Sequence, residues 1–378
     1  MTLLIYASGL NSAGGLNVGI SITSNLCMNY PYDNFILICS NNSNYAVLDY
    51  PNLQKRMIPK VLDKNFMRIL FSYWVKRCIS EVSPDVIFNL SNLPLRTKAK
   101  QLVMLHWPYA VYPESEVWKK MRFLPYLKRK IKLFTFKNNI RFASRFTVQT
   151  NVMKNRLESL YKLNNIDVVS SSVSFADKEN ISDNKKVNEL KKISSFKFLY
   201  LTRYYPHKNV EVLLDVAEKI KELNLDFKII LTLDANQNIE TTKINNYIND
   251  KKLENVLINI GTVSFEDVKS LYFNVDALIM PTLLESFGLP FLEAMYFNKP
   301  IFTSNLDFAI EVCKDSAFYF DPFDPHDILD KIKLIENQNM INTKLILAKK
   351  ILLDKYVDWS EISINYYKIL NNMIEDVI

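Results

Sequence analysis

The stretch ALIMPTLLESFGLPFLEAM, Ala277 to Met295, reads as a strand, a turn and the start of a helix. ALIMP (Ala277–Pro281) ends a strand. Pro290 suits the first position of a helix, where its fixed φ is already helical and its missing N–H is not needed. Gly288 therefore falls in the strand-to-helix turn, where the absent Cβ lets a ligand approach the backbone. The amides of Gly288, Leu289 and Phe291 are helix-start donors, and with the helix dipole they suit a phosphate. Glu285 lies ahead of the turn and Glu293 in the first helical turn, so the two carboxylates flank such a pocket. A carboxylate accepts from two vicinal hydroxyls, which a sugar or a ribose supplies. Read alone, the pair has a plainer explanation: Glu293 complements a helix N-terminus and Glu285 is a surface loop residue.

The same alternation runs through the chain. Strands are expected at Leu3–Ala7, Phe35–Cys39, Val86–Leu90, Gln101–His106 and Arg145–Thr150, with helices over Leu16–Asn29, Phe66–Val82, Tyr126–Phe142 and Val152–Tyr161. A Ser-, Asn- and Lys-rich stretch over Ser170–Ser195 marks a linker. The pattern then restarts with strands at Lys197–Thr202, Phe227–Leu233, Val256–Gly261 and Ala277–Pro281, and an amphipathic helix over Val210–Leu223. A helical tail runs from about Ile328, with Trp359 anchoring its last helix. Short apolar runs alternating with helical segments define βαβ units and parallel sheets. Two doubly wound domains place a ligand cleft between the carboxyl ends of their strands. The boundaries drawn are 1–172, a linker at 173–195, a second domain at 196–357, and a terminal helix at 358–378 that packs back on the first domain.

Composition agrees. A chain of 378 residues, 48% hydrophobic and 12% aromatic, fills two cores of the usual 150–200 residues. No apolar run approaches the ~20 residues that span a bilayer. The start, MTLLIYASGLNS, is read as a first strand and not a signal peptide. Cys27, Cys39, Cys78 and Cys313 are scattered with no CxxC pair, which suits reduced core residues of a cytosolic protein. Charge is uneven: 23 Lys and Arg against 9 Asp and Glu up to Phe175, and 24 against 31 beyond it. The first half therefore suits an anionic partner.

Four further elements carry chemistry. In TRYYPHKN (Thr202–Asn209), Arg203 and Lys208 leave a strand's carboxyl end, where two cations neutralise a diphosphate or are merely solvated; His207 is a loop residue. Three of the six glycines lie between the first strand and helix, in SGLNSAGG (Ser8–Gly15), a phosphate- or sugar-facing loop or a structural turn, but not a GxGxxG fingerprint. His106 ends a strand, where an imidazole bonds a substrate hydroxyl or satisfies the core. Trp118–Arg145 holds ten basic residues, no acid and interleaved aromatics, an amphipathic helix or helix pair suited to an anionic membrane surface or simply to solvent. No nucleic-acid motif accompanies it. Asp321, Asp324 and Asp327 lack the glycine and glutamate of a calcium loop and are read as a capped helix start.

In this order the elements resemble glycosyltransferase family 4, whose members have the GT-B fold. The resemblance runs from Leu199 to about Asp327 and rests on TRYYPHKN, the Asn259–Val263 segment, the Glu-x7-Glu motif of LESFGLPFLEAM, Pro300–Ser304 and Glu311–Val312. The first domain is similar in outline only. The resemblance implies that Arg203 and Lys208 hold the donor diphosphate. It implies that Glu285 meets the transferred sugar, beside Ser286 and the amides of Phe287, Gly288 and Leu289. Glu293 would bind the ribose, and Asn259, Gly261, Thr262 and Val263 would border the base. Gly14 and Gly15 would line the cleft near the diphosphate, and His106 would sit beside the sugar. Thr202, Asn209 and Asn298 stand where the family has glycine, and Asn tolerates a left-handed backbone.

The implied activity is retaining transfer from a UDP- or GDP-linked sugar, with no metal and no further cofactor. The implied acceptor is a glycan or polyprenyl-diphosphate-linked chain of a bacterial O-antigen or capsule. The setting is cytoplasmic, peripheral on the inner face of the membrane through Trp118–Arg145, with no nucleic-acid partner. The alternative is a non-catalytic GT-B protein that binds a nucleotide or glycan and serves another transferase.

Overall fold

The computed structural model describes residues 1–8, 13–40, 44–62, 68–173 and 184–375. Its first elements are β1 (Thr2–Tyr6), α1 (Ala13–Asn29), β2 (Asn34–Ser40), β3 (Leu53–Ile58), α2 (Arg68–Val82), β4 (Val86–Asn89) and β5 (Gln101–Met104). Next come α3 (Val117–Lys120), α4 (Phe123–Asn139), β6 (Arg145–Val148), α5 (Asn151–Tyr161), β7 (Ile166–Val168) and α6 (Lys185–Glu189). Then follow β8 (Phe196–Tyr200), α7 (Val212–Glu222), β9 (Phe227–Leu231), α8 (Ile239–Asp250), β10 (Leu257–Asn259), α9 (Phe265–Phe273) and β11 (Ala277–Met280). The remainder is α10 (Leu289–Tyr296), β12 (Ile301–Ser304), α11 (Asp307–Cys313), β13 (Ala317–Phe320), α12 (Pro325–Lys333), α13 (Gln338–Lys355) and α14 (Trp359–Glu375).

The chain divides into two compact units, one of Met1–Pro113, Arg122–Ser174 and Val357–Ile378, the other of Glu114–Met121 and Phe175–Tyr356. The first holds a parallel sheet in the order β3-β2-β1-β4-β5-β6-β7. Leu4 of β1 lies opposite Ile36 on one side and Ile87 on the other. The second holds a parallel sheet in the order β10-β9-β8-β11-β12-β13, with Leu199 of β8 between Ile230 and Leu278. Helices on both faces bury such strands completely, which is why their sequences are nearly continuous apolar runs. β4, β5, β11 and β12 are buried at every position.

Departures from expectation have local causes. β3 (LQKRMI) and β7 (IDV) are edge strands, and polar residues that blunt an edge also hide it from a hydrophobicity reading. β12 and β13, four residues each, also lie outside the expected set. Residues 184–195, expected as linker, carry α6 and join the second unit. Asn184 caps α6 by accepting from Lys186 N at 3.0 Å and donates to Asp267 Oδ2 at 2.7 Å. The first domain, expected to be continuous, gives up Glu114–Met121 to the second unit.

Within the first unit α14 covers α1 and β4. Asn29 Nδ2 donates to Ser363 Oγ at 2.8 Å, Tyr366 stacks obliquely on Phe88 at 4.8 Å, and Lys100 Nζ donates to Met373 O. Trp359, the first residue of α14, is buried. The helical tail is three helices, and α12 begins at a cap where Asp324 accepts from His326 N and Asp327 from Asp321 N. All four cysteines are buried and unpaired by disulfides. No described helix is long and apolar enough to cross a membrane.

Candidate functional site

In the second unit β8 and β11 are neighbours although two βα units separate them in sequence. Such a reversal of strand order is the place where doubly wound sheets bind ligands, beyond the strands' carboxyl ends. The loops after these two strands carry Arg203, Lys208 and Glu285. They are held together through backbone: Leu283 N donates to His207 O at 2.7 Å, and Thr282 Oγ1 donates to the same carbonyl at 3.0 Å. Buried Tyr200 anchors the first loop with its hydroxyl on Lys208 O at 2.6 Å. Gln237 pairs with both backbone polar groups of Tyr204, at 3.1 and 2.7 Å.

The result is an ion pair. Lys208 Nζ lies 2.5 Å from Glu285 Oε1, both side chains about 15% exposed (15% and 14%), and Thr282 Oγ1 is 3.0 Å from the same oxygen. Arg203 Nε, on the same loop as Lys208, is buried and meets no hydrogen-bonding partner. A buried donor left unmet is costly, and an arriving anion would satisfy it. Glu211, the loop's other carboxylate, accepts from Tyr204 Oη at 2.6 Å, so it is engaged away from the Lys208–Glu285 pair.

Asn209 takes the left-handed backbone at φ 52°, as its place in the motif required, and so does Asn298 at φ 54°. Asn209 does more than a glycine would: its amide donates to Pro281 O and Pro322 O at 3.2 and 2.7 Å, and its oxygen accepts from Lys120 of α3. Lys120 also lies over the Phe323 ring at 5.3 Å. These partners lie 72 to 113 residues away in sequence, and no local signal announces them.

Gly288 precedes α10 with φ 88°, and a Cβ there would lie 2.7 Å from the ring of fully buried Phe291. Phe291 N turns back to Gly288 O at 2.9 Å. Pro290 has no N–H, so the amides of Gly288 and Leu289 remain without an intrahelical acceptor. Phe287 is buried against Tyr356. Glu293 was expected in the first helical turn; α10 starts at Leu289, which puts it in the second, with no acid in the first. Its carboxylate accepts from Tyr272 Oη at 3.0 Å. Burial pushes its carboxyl up to about 7, against the opposing pull of the Tyr272 hydroxyl.

Asn259 ends β10 with its side chain committed: Oδ1 accepts from Leu233 N and Gly261 N at 3.0 and 3.2 Å, and Nδ2 donates to Asn245 Oδ1 at 3.1 Å. It shapes the loop in which Gly261 adopts φ 79° and Thr262 is exposed beside half-buried Val263.

In the first unit Gly14 and Gly15 lie in the first turn of α1, while residues 9–12 of that loop fall outside the described residues. His106 follows β5. Its N–H donates to Asn92 Oδ1 at 2.7 Å, so the other end of that amide is its NH2, which faces His106 Nε2 at 2.9 Å. Nε2 is then the acceptor and Nδ1 carries the proton. That Nδ1–H is buried and unpartnered. Burial, and next the Lys132 ammonium, push the imidazole down to about 4, which keeps it neutral. Asn92, at φ 69°, was not among the expected residues.

The class these features define is the two-domain GT-B architecture of glycosyltransferases. Sucrose-phosphate synthase of Thermosynechococcus elongatus superposes with a TM-score of 0.77 at 14% identity over 100% of both chains. Alr3699/HepE of Anabaena, solved with UDP-glucose, gives 0.73 at 15% identity over 98% of this chain and 100% of that one. At the level of sequence, residues 181–351 match the family model described as glycosyl transferases group 1. The O-antigen chain mannosyltransferase RfbU of Salmonella typhimurium strain LT2 is 26% identical over 296 residues, 77% of each chain.

Two outcomes are expected. Gly288→Ala combines a left-handed backbone with overpacking on Phe291 and costs on the order of 3 kcal/mol, measurable by urea unfolding. For Glu293, the folded state holds the proton more tightly than the unfolded chain, whose carboxyl titrates at 4.5. Its contribution is therefore fully present below 4.5 and is lost as pH rises through about 7. Unfolding at pH 5 and pH 7.5 should show Glu293→Gln losing less stability over that interval than the parent, and equal slopes would refute it.

Proposed function

We propose that the chain is a retaining, metal-independent glycosyltransferase. It would move a sugar from a UDP- or GDP-linked donor to a glycan or polyprenyl-diphosphate-linked acceptor in O-antigen-type surface polysaccharide assembly. The observation that carries the reading is the Lys208–Glu285 pair joining the adjacent β8 and β11 loops, with Arg203 on the first of them, beside the α10 start. Its wider support is the group 1 match over the same unit and the O-antigen mannosyltransferase among its relatives.

In this reading the donor diphosphate takes the unmet Arg203 N–H and the two Lys208 N–H groups not given to Glu285, since an ammonium has three. The Gly288 and Leu289 amides add to them. Glu285 accepts from hydroxyls of the transferred sugar and Glu293 from the ribose, while the Asn259–Val263 loop borders the base. The bond from the anomeric carbon to the phosphate oxygen breaks, the acceptor oxygen bonds to that carbon from the same face, and its proton passes to the leaving phosphate. Arg203 and Lys208 stabilise the charge that grows there. His106, neutral, offers Nδ1–H to a sugar hydroxyl.

Glu285→Gln is expected to lower transfer by about two to three orders of magnitude while nucleoside diphosphate binds as tightly or more so, because Lys208 loses its internal counter-charge. A thermal-shift titration with UDP and GDP and a transfer assay read the two effects. Undiminished turnover would sink the assignment, and NMR of the product's anomeric proton tests retention.

The membrane part of the reading rests on α4. The basic stretch divides: Trp118 is buried, Lys120 is tied to Asn209 in the second unit, and Arg145 is paired with Asp167. The surface shrinks to 123–141. There Phe123, Leu124, Leu127, Ile131 and Phe134 are 42–72% exposed in one helical stripe, with exposed Lys128, Lys137 and Arg141 nearby. An apolar stripe flanked by cations suits an anionic bilayer on the cytoplasmic face. Vesicles with phosphatidylglycerol should float the protein, Phe123→Ser with Phe134→Ser should abolish flotation, and recovery independent of both lipid charge and these residues would count against the surface.

A further inference from the structure

α4 buries Leu133 and Phe136 in the ordinary way, yet it also turns two cations inward. Its outward stripe is apolar, whereas Arg129 and Lys132 share the inward stripe with buried Phe136 and Asn139. Residues three and four apart lie on one helix face, so these two cations occupy positions where a core-facing helix ordinarily places leucines. They are seated on the loop that follows His106: Lys132 Nζ lies 4.3 Å from the Trp107 ring centre, and the Arg129 guanidinium carbon 4.9 Å from that of Tyr109. Arg129 Nη1 donates to Pro125 O at a long 3.3 Å. Neither has a carboxylate partner among the described residues. Burial, and next the neighbouring Arg129, push the Lys132 ammonium down to about 8, with no acid to hold it up.

The rings beneath do not account for this arrangement. A cation over an aromatic face gains about 0.5–2 kcal/mol, whereas two like charges drawn into one half-buried place repel each other and each loses hydration. An incoming anion removes both costs at once. Arginine supplies a planar fork and lysine a point charge about one turn away, a spacing that spans several oxygens of one phosphoryl group. The outer face of the same helix is the apolar one, so an anion held on its inner side sits where the head of a lipid-linked chain would enter.

We propose that Arg129 and Lys132, seated on Tyr109 and Trp107, form an anion site that takes a phosphoryl group of the acceptor. The proposal rests on the transferase reading for the word acceptor, while the site itself is independent of the cations assigned to the donor. Calorimetric titration of inorganic pyrophosphate into the full-length Arg203→Met, Lys208→Met variant tests it without any donor or transfer. Binding should persist there. Adding Arg129→Met with Lys132→Met should weaken it at least tenfold, and Lys132→Arg should retain it. Removing half-buried charge should leave the melting temperature equal or higher, which separates a lost site from a lost fold. A short-chain prenyl diphosphate bound more tightly than pyrophosphate assigns the group to a lipid-linked acceptor, and equal binding assigns it to a phosphorylated glycan. No pyrophosphate binding in the first variant, or binding indifferent to Arg129 and Lys132, overturns the proposal, whatever UDP and GDP do at Arg203 and Lys208.

Discussion

The contact between Lys208 Nζ and Glu285 Oε1 sets the terms for the loops around it. Two opposite charges withdrawn from most of their water attract strongly, but each has given up hydration, and removing either strands the other. The pair therefore demands that two loops 77 residues apart in sequence stay in register. Parallel pairing of β8 with β11 brings them side by side, and the His207 carbonyl, bonded by both Leu283 and Thr282, keeps them there. The unmet Arg203 Nε stands in contrast. Lys208 is satisfied within the protein and Arg203 Nε is not, so the tied loops still hold an unmet donor.

Much of this was legible before any coordinate. Fully buried parallel strands leave continuous apolar runs, and Arg203, Lys208, Glu285 and Glu293 stand at recognisable distances from them. What remained hidden is what distant residues do. Nothing in the sequence around Asn209 says that its side chain will tie Pro281 to Pro322, nor that Gln237 will pair with the Tyr204 backbone. Asn92 fixes the His106 tautomer from a turn after another strand. Glu293 fell one position deeper, past the first turn, because α10 opens at Leu289 and not at Pro290, a shift small in residues but large in environment. It moves the carboxylate from a solvated helix start to the Tyr272 hydroxyl.

α4 marks a second kind of limit. Its sequence announces two faces, one basic and one apolar, and the usual preference for buried apolar groups would turn the apolar face inward. Periodicity identifies faces without orienting them. Here Trp107 and Tyr109 receive Lys132 and Arg129, Leu133 and Phe136 are buried, and Phe123 and Phe134 are left to solvent.

α14 has a consequence for the protein's manufacture. The ribosome releases the segments of the first unit early, yet the helix that covers α1 and Phe88 follows the whole of the second unit. Until it emerges, α1 and β4 lack their cover, and apolar surface left open during translation invites association. The 175–356 segment, by contrast, contains its entire sheet without interruption. Synthesis thus favours a nascent chain whose later half is finished first, and any nonsense codon ahead of Trp359 would damage the half already made.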